Sequence, residues 1–392
     1  MGLEADSRIR LDHKYRRGER NQITDVSDVT VGQVTLEDEE CGIHTGVTVI
    51  RPHDGNLFQE KLAAGAAVIN GFGKSTGLVQ VEELGTLETP IVLTNTLSVG
   101  TALDALTKYM LEENPDIGIV TGTVNGIVME CNDGSLNDIR GLHVTEAHVR
   151  EALMDCRETF AEGAVGSGTG MCCMGLKGGI GSASRLLQTD GADYVIGALV
   201  MTNFGMAGNL RVNGKRMAET EFPPKGAGLA AGDLKAAEPS AKSRDAESAE
   251  VTLQTAEATP GSSRNTRLPL TTRLQHEPEH GSVIIVLATD LPLSDRQLKR
   301  LARRSAVALA RVGSYLGNGS GDIALAFSTA NRTPHYGASA IYEQKAFRDD
   351  RMDPVFEAAA EAVEEAVLSS LDHARTVQGA RGKVVYALRE YL

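Results

Sequence analysis

A glycine and a serine stand at the sharpest compositional boundary of the chain. Glu277-Pro278-Glu279-His280 closes a long polar run, and Gly281-Ser282 opens the apolar run Val283-Ile284-Ile285-Val286-Leu287. The pattern puts a small nucleophile at the exposed start of a strand expected to be buried. A serine hydroxyl is a weak nucleophile until a neighbouring base takes its proton. If the peptide bond before Ser282 were cut, the residue would gain an α-amine, ordinarily of pKa about 7.7 to 8.0, beside its own hydroxyl. Nucleophile and base would then be one residue. Attack of the Ser282 hydroxyl on the Gly281 carbonyl gives an ester that water resolves, and glycine permits the backbone conformation this needs. A loop-to-strand turn is the plainer meaning of the same pair.

Other candidates have two readings each. Ser320 lies in the turn-forming stretch Gly317-Asn318-Gly319-Ser320-Gly321, just before Asp322; these are a nucleophile's helpers or a turn residue and a solvated charge. Asn203 ends an apolar run, as a neutral donor or a strand-end cap. Glu130 closes another, and a half-buried carboxylate there needs a partner. Gly71-Phe72-Gly73-Lys74-Ser75 resembles the end of a phosphate-binding loop, but the required first glycine falls on Val68. His143 and His148 are five apart, off the four-residue spacing of a shared helix face, and the cysteines have no C-x-x-C spacing, so no metal site is read.

The elements that must position these residues are strands and covering helices. Apolar patterning predicts paired strands over 116–121 and 126–130 around the Asn125-Gly126 turn signal, then strands over 168–176, 179–187, 194–203, 283–288 and 323–328. Helical periodicity covers 99–113, 145–162, 294–312 and 354–373, with Thr145 and Ser294 as N-caps. The basic run from Arg296 to Arg304 reads as the wet face of one of these helices, and Ala358 to Val367 as a packing helix. Residues 223–280 lose apolar periodicity and read as an insertion that cannot bury enough surface to offset its ordering entropy.

The chain of 392 residues carries 52 acidic and 39 basic residues, a net charge of -13 that argues against nucleic acid as the partner. Five cysteines, two of them adjacent, read as reduced thiols of a cytoplasmic protein. The N-terminus lacks signal-peptide features and no apolar run is long enough to span a membrane, so the reading is soluble and intracellular, without a membrane partner.

The blocks Asn70-Gly71-Phe72-Gly73-Lys74, Thr94-Asn95-Thr96, Asn132-Asp133-Gly134-Ser135, Gly166-Ser167-Gly168-Thr169-Gly170, Thr202-Asn203-Phe204-Gly205, Gly281-Ser282 and Gly319-Ser320-Gly321-Asp322 occur in one order. In that order the chain resembles the DmpA/BapA family of self-processing N-terminal-serine aminopeptidases, over nearly everything but the first residues and the insertion. The resemblance implies a single α+β domain, a four-layer αββα sandwich also found in ornithine acetyltransferase. It implies self-cleavage at Gly281-Ser282 into an α chain, 1–281, and a β chain, 282–392, of the same domain. It implies Ser282 as nucleophile, its amine as base, Ser320 and Asp322 as orienting or proton-relaying groups, and Asn203 as oxyanion donor. Glu130 would pair with the substrate's free amine, giving aminopeptidase action on short peptides or aminoacyl amides and esters, without cofactor or metal. Asp322 stands where members carry Glu, and Asn132 where some carry an aromatic residue near the substrate. Homo-oligomers of αβ units are implied as well. Two alternatives stand beside this: an acyltransferase like ornithine acetyltransferase, which uses threonine, and an uncut binding or scaffold protein with the insertion as its interaction segment.

Overall fold

The structure, a computed structural model, describes residues 3, 7–217 and 279–392. Its main strands are β1 (Thr30–Asp38), β2 (Ile43–Arg51), β3 (Glu60–Gly71), β4 (Thr86–Leu87), β5 (Ile91–Asn95), β6 (Ile127–Cys131), β7 (Gly179–Thr189), β8 (Ala192–Asn203), β9 (His280–Thr289) and β10 (Gly319–Pro334). The helices are α1 (Leu78–Leu84), α2 (Val99–Glu113), α3 (Glu146–Met154), α4 (Asp295–Arg303), α5 (Ser305–Arg311) and α6 (Met352–Asp372). One sheet has the order β1-β2-β5-β6 and the other β4-β3-β10-β9-β8-β7. Each contains one parallel pair, β5–β6 and β9–β10. Parallel neighbours need a crossover, and α2 supplies it in the first sheet, α4 with α5 in the second.

Burial separates the layers. Ile50, Leu93 and Met129 of the small sheet meet Leu199, Ile284 and Phe327 of the large one in a single apolar cluster between the sheets. The other face of the small sheet, with Val47, Val92 and Val128, packs on Leu106 of α2 and Val149 of α3. The other face of the large sheet, with Val200, Ile285 and Ala324, packs on Leu301 of α4 and Val363 of α6. The result is the αββα sandwich. β9 lies inside the large sheet and is apolar on both sides, which is why its sequence reads as a continuous run without alternation. α6 sits directly on β7: a Cβ at Gly181 would lie 2.0 Å from the Ala366 carbonyl oxygen.

Several expected boundaries move. The helix expected over 99–113 is α2, and Ser294 caps α4 by accepting from the Gln297 N–H. α4 buries Leu298, Leu301 and Ala302 and leaves its basic residues outward, as the wet-face reading required. The long helix expected over 294–312 is broken at Arg304 into α4 and α5. The helix expected over 145–162 stops at Met154, because Arg157 instead exchanges backbone hydrogen bonds with Val31 at the edge of β1. The hairpin expected around Asn125-Gly126 does not form. β6 pairs in parallel with β5, and Asn125 bonds Gly77 and Glu88. Residues 168–176 follow from the end of a 3₁₀ turn, Gly166–Gly168, into a short ladder, Cys172–Cys173 against Leu176–Lys177, and are not one strand. There Lys177, fully buried, donates to the carbonyls of Gly168, Met171 and Gly178 at 2.7 to 3.0 Å. Of the insertion expected over 223–280, residues up to 278 lie outside those described, but His280 begins β9 and Glu279 is fully buried, so neither belongs to it.

Candidate active site

Ser282 is the third residue of β9, buried between two strands: Asn203 of β8 is its partner on one side and Gly321 of β10 on the other. Side chains alternate along a strand, so Ser282 faces the same way as Ile284, toward the small sheet. There its hydroxyl comes within hydrogen-bonding reach of the Cys131 thiol, which ends β6. Burial pushes that thiol well above its ordinary pKa, so it meets Ser282 as a neutral, unreactive group.

Gly281 explains the conformation of this junction. Its φ of +121° is one that L side chains rarely adopt. A Cβ there would lie 2.0 Å from the Asn203 carbonyl oxygen and 2.8 Å from the Phe204 Cα. Only glycine lets the chain pass this close to the end of β8.

The Asn203 side chain is held at both ends. Its Oδ1 accepts from the Cys172 N–H at 3.0 Å and its Nδ2 donates to the Asn132 carbonyl at 2.9 Å. An amide nitrogen carries two hydrogens, so one donor is left. Glu130, 3% exposed, is the fourth residue of β6. It accepts from the Lys74 N–H at 2.7 Å and from the Thr96 hydroxyl. Both donors are neutral, and no cation pairs with Glu130 among the described residues. Asn132 folds back, accepting from the Gly134 N–H at 2.9 Å. In the next position burial pushes the Asp133 carboxyl up to about 7.

Ser282, Gly281, Asn203, Glu130 and Asn132 line one cleft of about 680 Å³, with Phe72 at its rim. Ser320 and Asp322 do not line it. By strand alternation they face the helix side of the large sheet, with Ser320 opposite Gly281 and Asp322 opposite Val283. The Ser320 hydroxyl donates to Asp322 Oδ1 at 2.5 Å, while Asp322 Oδ2 is buried without a partner among the described residues. Burial raises the Asp322 carboxyl to about 6, and the nearby Glu279 adds to the shift against the opposing Ser320 bond. The pair therefore approaches the Gly281-Ser282 bond from behind, through the backbone of the strand.

The sequence reading missed the partners of Glu130. Thr96 had a signal, since it closes the block Thr94-Asn95-Thr96, whose Asn95 turns the chain by accepting from the N–H groups of Leu97 and Ser98. Lys74 contributes through its backbone, which no residue type reveals. Cys131 was weighed only as a thiol and not as the neighbour of Ser282.

The arrangement offers a serine hydroxyl, an amide donor and an unpaired carboxylate around one space, a set suited to acyl transfer from a substrate with a free amine. Residues 21–385 match the model of peptidase family S58. The chain is 36% identical over 379 residues to the β-peptidyl aminopeptidase BapA of Sphingosinicella microcystinivorans, covering 95% of this chain and 86% of that protein. Among solved structures it is similar to the PH0078 protein of Pyrococcus horikoshii OT3, at 45% identity and a TM-score of 0.78, over 98% of this chain and 94% of that one. It is also similar to the L-aminopeptidase D-Ala-esterase/amidase of Ochrobactrum anthropi, a prototype of the serine aminopeptidases and a variant of the Ntn hydrolase fold. That match has 33% identity and a TM-score of 0.78, over 97% of this chain and 94% of the other. Fold, cleft and relatives agree: the chain belongs to peptidase family S58.

Proposed function

We propose that this serine aminopeptidase matures by cutting its own Gly281-Ser282 bond and then releases N-terminal residues from short peptides, aminoacyl amides or esters. The observation that carries the reading is the convergence of Ser282, Asn203 and Glu130 on one cleft. In the first stage the Ser282 hydroxyl attacks the Gly281 carbonyl, the C–N bond breaks, and an ester links Gly281 to the serine oxygen. Water cleaves that ester, leaving a Gly281 carboxylate and a free Ser282 amine. The pieces are 1–281 and 282–392, two chains of one domain.

In the second stage the substrate's ammonium pairs with Glu130, which places the first carbonyl over Ser282. The Ser282 amine takes the hydroxyl proton as the oxygen attacks; an α-amine near its ordinary pKa holds about a tenth to a sixth of its molecules as free base at pH 7, and that fraction grows as pH rises. The remaining N–H of Asn203 meets the negative charge that develops on the carbonyl oxygen. Collapse expels the leaving amine, which takes the proton back from Ser282, and water releases the acyl group by the same route. Ser320 and Asp322 orient the new amine from behind the strand.

BapA and the Ochrobactrum anthropi enzyme are aminopeptidases, so neither the acyltransferase nor the scaffold alternative is carried further. No helix among the described residues is long and apolar enough to cross a membrane. We place the enzyme in the cytoplasm as a homo-oligomer of αβ units; the five unpaired cysteines support the first and the family resemblance the second. Intact mass with N-terminal sequencing tests the reading. Wild type should yield a fragment beginning at Ser282, and Ser282→Ala should stay one chain without activity; normal turnover by that variant refutes the mechanism.

A further inference from the structure

Glu279 has an environment that a loop-to-strand junction does not ordinarily supply. It is fully buried. The Ser314 hydroxyl donates to its Oε1 and the Tyr315 N–H to its Oε2 at 3.0 Å. Its own backbone N–H donates to the Tyr315 hydroxyl at 2.7 Å. A Cβ on Gly317 would lie 2.4 Å from the Glu279 carbonyl oxygen, so the two backbones are in direct contact. Burying a carboxylate is costly unless its oxygens are met, and here both are met by consecutive residues of one loop. That loop leads straight into β10, which carries Ser320 and Asp322.

The position of this clamp matters because Gly281 is held at φ +121° against the end of β8. A backbone in such a conformation persists only when the surroundings determine it from both sides. Downstream, the ladder of β9 into the core does so from Ser282 onward. Upstream, one residue separates Gly281 from Glu279. We propose that Glu279 is a positioning residue for self-cleavage, clamping the chain to residues 314–315 so that the Gly281 carbonyl is presented to the Ser282 hydroxyl. The inference rests on the self-cleavage reading above. It separates two stages that share a nucleophile: the clamp lies on the 1–281 side and its partners on the 282–392 side, so it acts across the bond to be cut. After the cut Ser282 is no longer bonded to the clamped segment, and the one influence of Glu279 left on turnover is its charge near Asp322.

The test uses the full chain. The fraction carrying Ser282 as N-terminus is followed with time by intact mass for wild type and Glu279→Gln, and turnover is measured per cut molecule. Glutamine offers one acceptor where two donors wait, so cutting should slow by about 10-fold or more, the scale on which small misplacements act. Turnover per cut molecule should fall at least about threefold less than cutting does, because only the lost charge near Asp322 still acts on it, whereas a merely structural role degrades both stages alike. Glu279→Asp, which keeps the charge, should recover part of the rate. Should Glu279→Gln fail to fold, Tyr315→Phe decides: its side chain is half exposed, its loss is mild, and cutting should slow by about threefold, the loss of one modest hydrogen bond. Cutting at the wild-type rate in the variants, or equal loss of both stages, overturns the inference. A wild-type chain that is never cut at Ser282 refutes the self-cleavage reading itself, and this inference with it.

Discussion

Removing the charge of Glu130 should abolish the enzyme's preference for a free amine without dismantling the cleft. In Glu130→Gln the amide oxygen can still accept from the Lys74 N–H, and the Thr96 hydroxyl can turn to accept from the new amide nitrogen, so both present partners survive. What is lost is the attraction between a carboxylate and an ammonium. At about 4 Å and an effective dielectric of about 20 that attraction is about 4 kcal/mol. Glu130 is only 3% exposed but lines a cleft open to solvent, so we expect about 2 to 3 kcal/mol to reach the transition state, or about 30- to 150-fold in kcat/KM. The assay compares an aminoacyl amide with its N-acetylated form, with rates normalised to cut enzyme. Wild type should favour the free amine by that factor and Glu130→Gln should show little preference. An unchanged ratio in the variant refutes the assignment, whatever happens to the absolute rates.

Gly281→Ala should leave the chain uncut for at least about 100-fold longer, because its Cβ, 2.0 Å from the Asn203 oxygen, forces the scissile carbonyl to move by about 1 Å or more; intact mass against time measures this, and a wild-type rate counts against the geometry. Asp322 has a folded pKa raised from 3.8 to about 6, so its stabilisation is fully present below 3.8 and is lost as pH rises through about 6. In an uncut Ser282→Ala background, Tm relative to Asp322→Asn should therefore fall between pH 4 and 7; a flat difference removes the buried, proton-holding description. Lys177→Met should strand three buried carbonyls and cost about 3 kcal/mol or more, read by denaturant unfolding. A loss below about 1 kcal/mol would mean that water takes over the role.

Where local physics and tertiary packing agree, the sequence is legible. α2 runs from Val99 to Glu113 as its periodicity requires, and β9 is apolar on both faces as its unbroken run implies. Where packing overrides a local signal, it is not: Asn125-Gly126 spells a hairpin turn, yet Asn125 spends its hydrogen bonds on Gly77 and Glu88 while β6 joins β5. The site divides the same way. Ser282, Asn203 and Glu130 sit at ends of apolar runs, where a polar residue is conspicuous. Glu279 stood unnoticed because a glutamate in a polar run has no contrast, and its burial is decided by a loop 35 residues away. That Ser320 and Asp322 lie behind the strand follows from pairing register, which composition cannot give.

The proposed cut falls at the mouth of a strand that has neighbours on both sides. β9 is bonded to β8, from the larger fragment, and to β10, from the smaller one. Severing the chain there leaves the two pieces interleaved in one sheet, and they cannot part without unzipping its middle. On the proposed route the nucleophile's base would be created only in a molecule whose central sheet has already closed around Gly281. Activity would then serve as a certificate of correct folding, since a misassembled copy would keep its serine locked in a peptide bond.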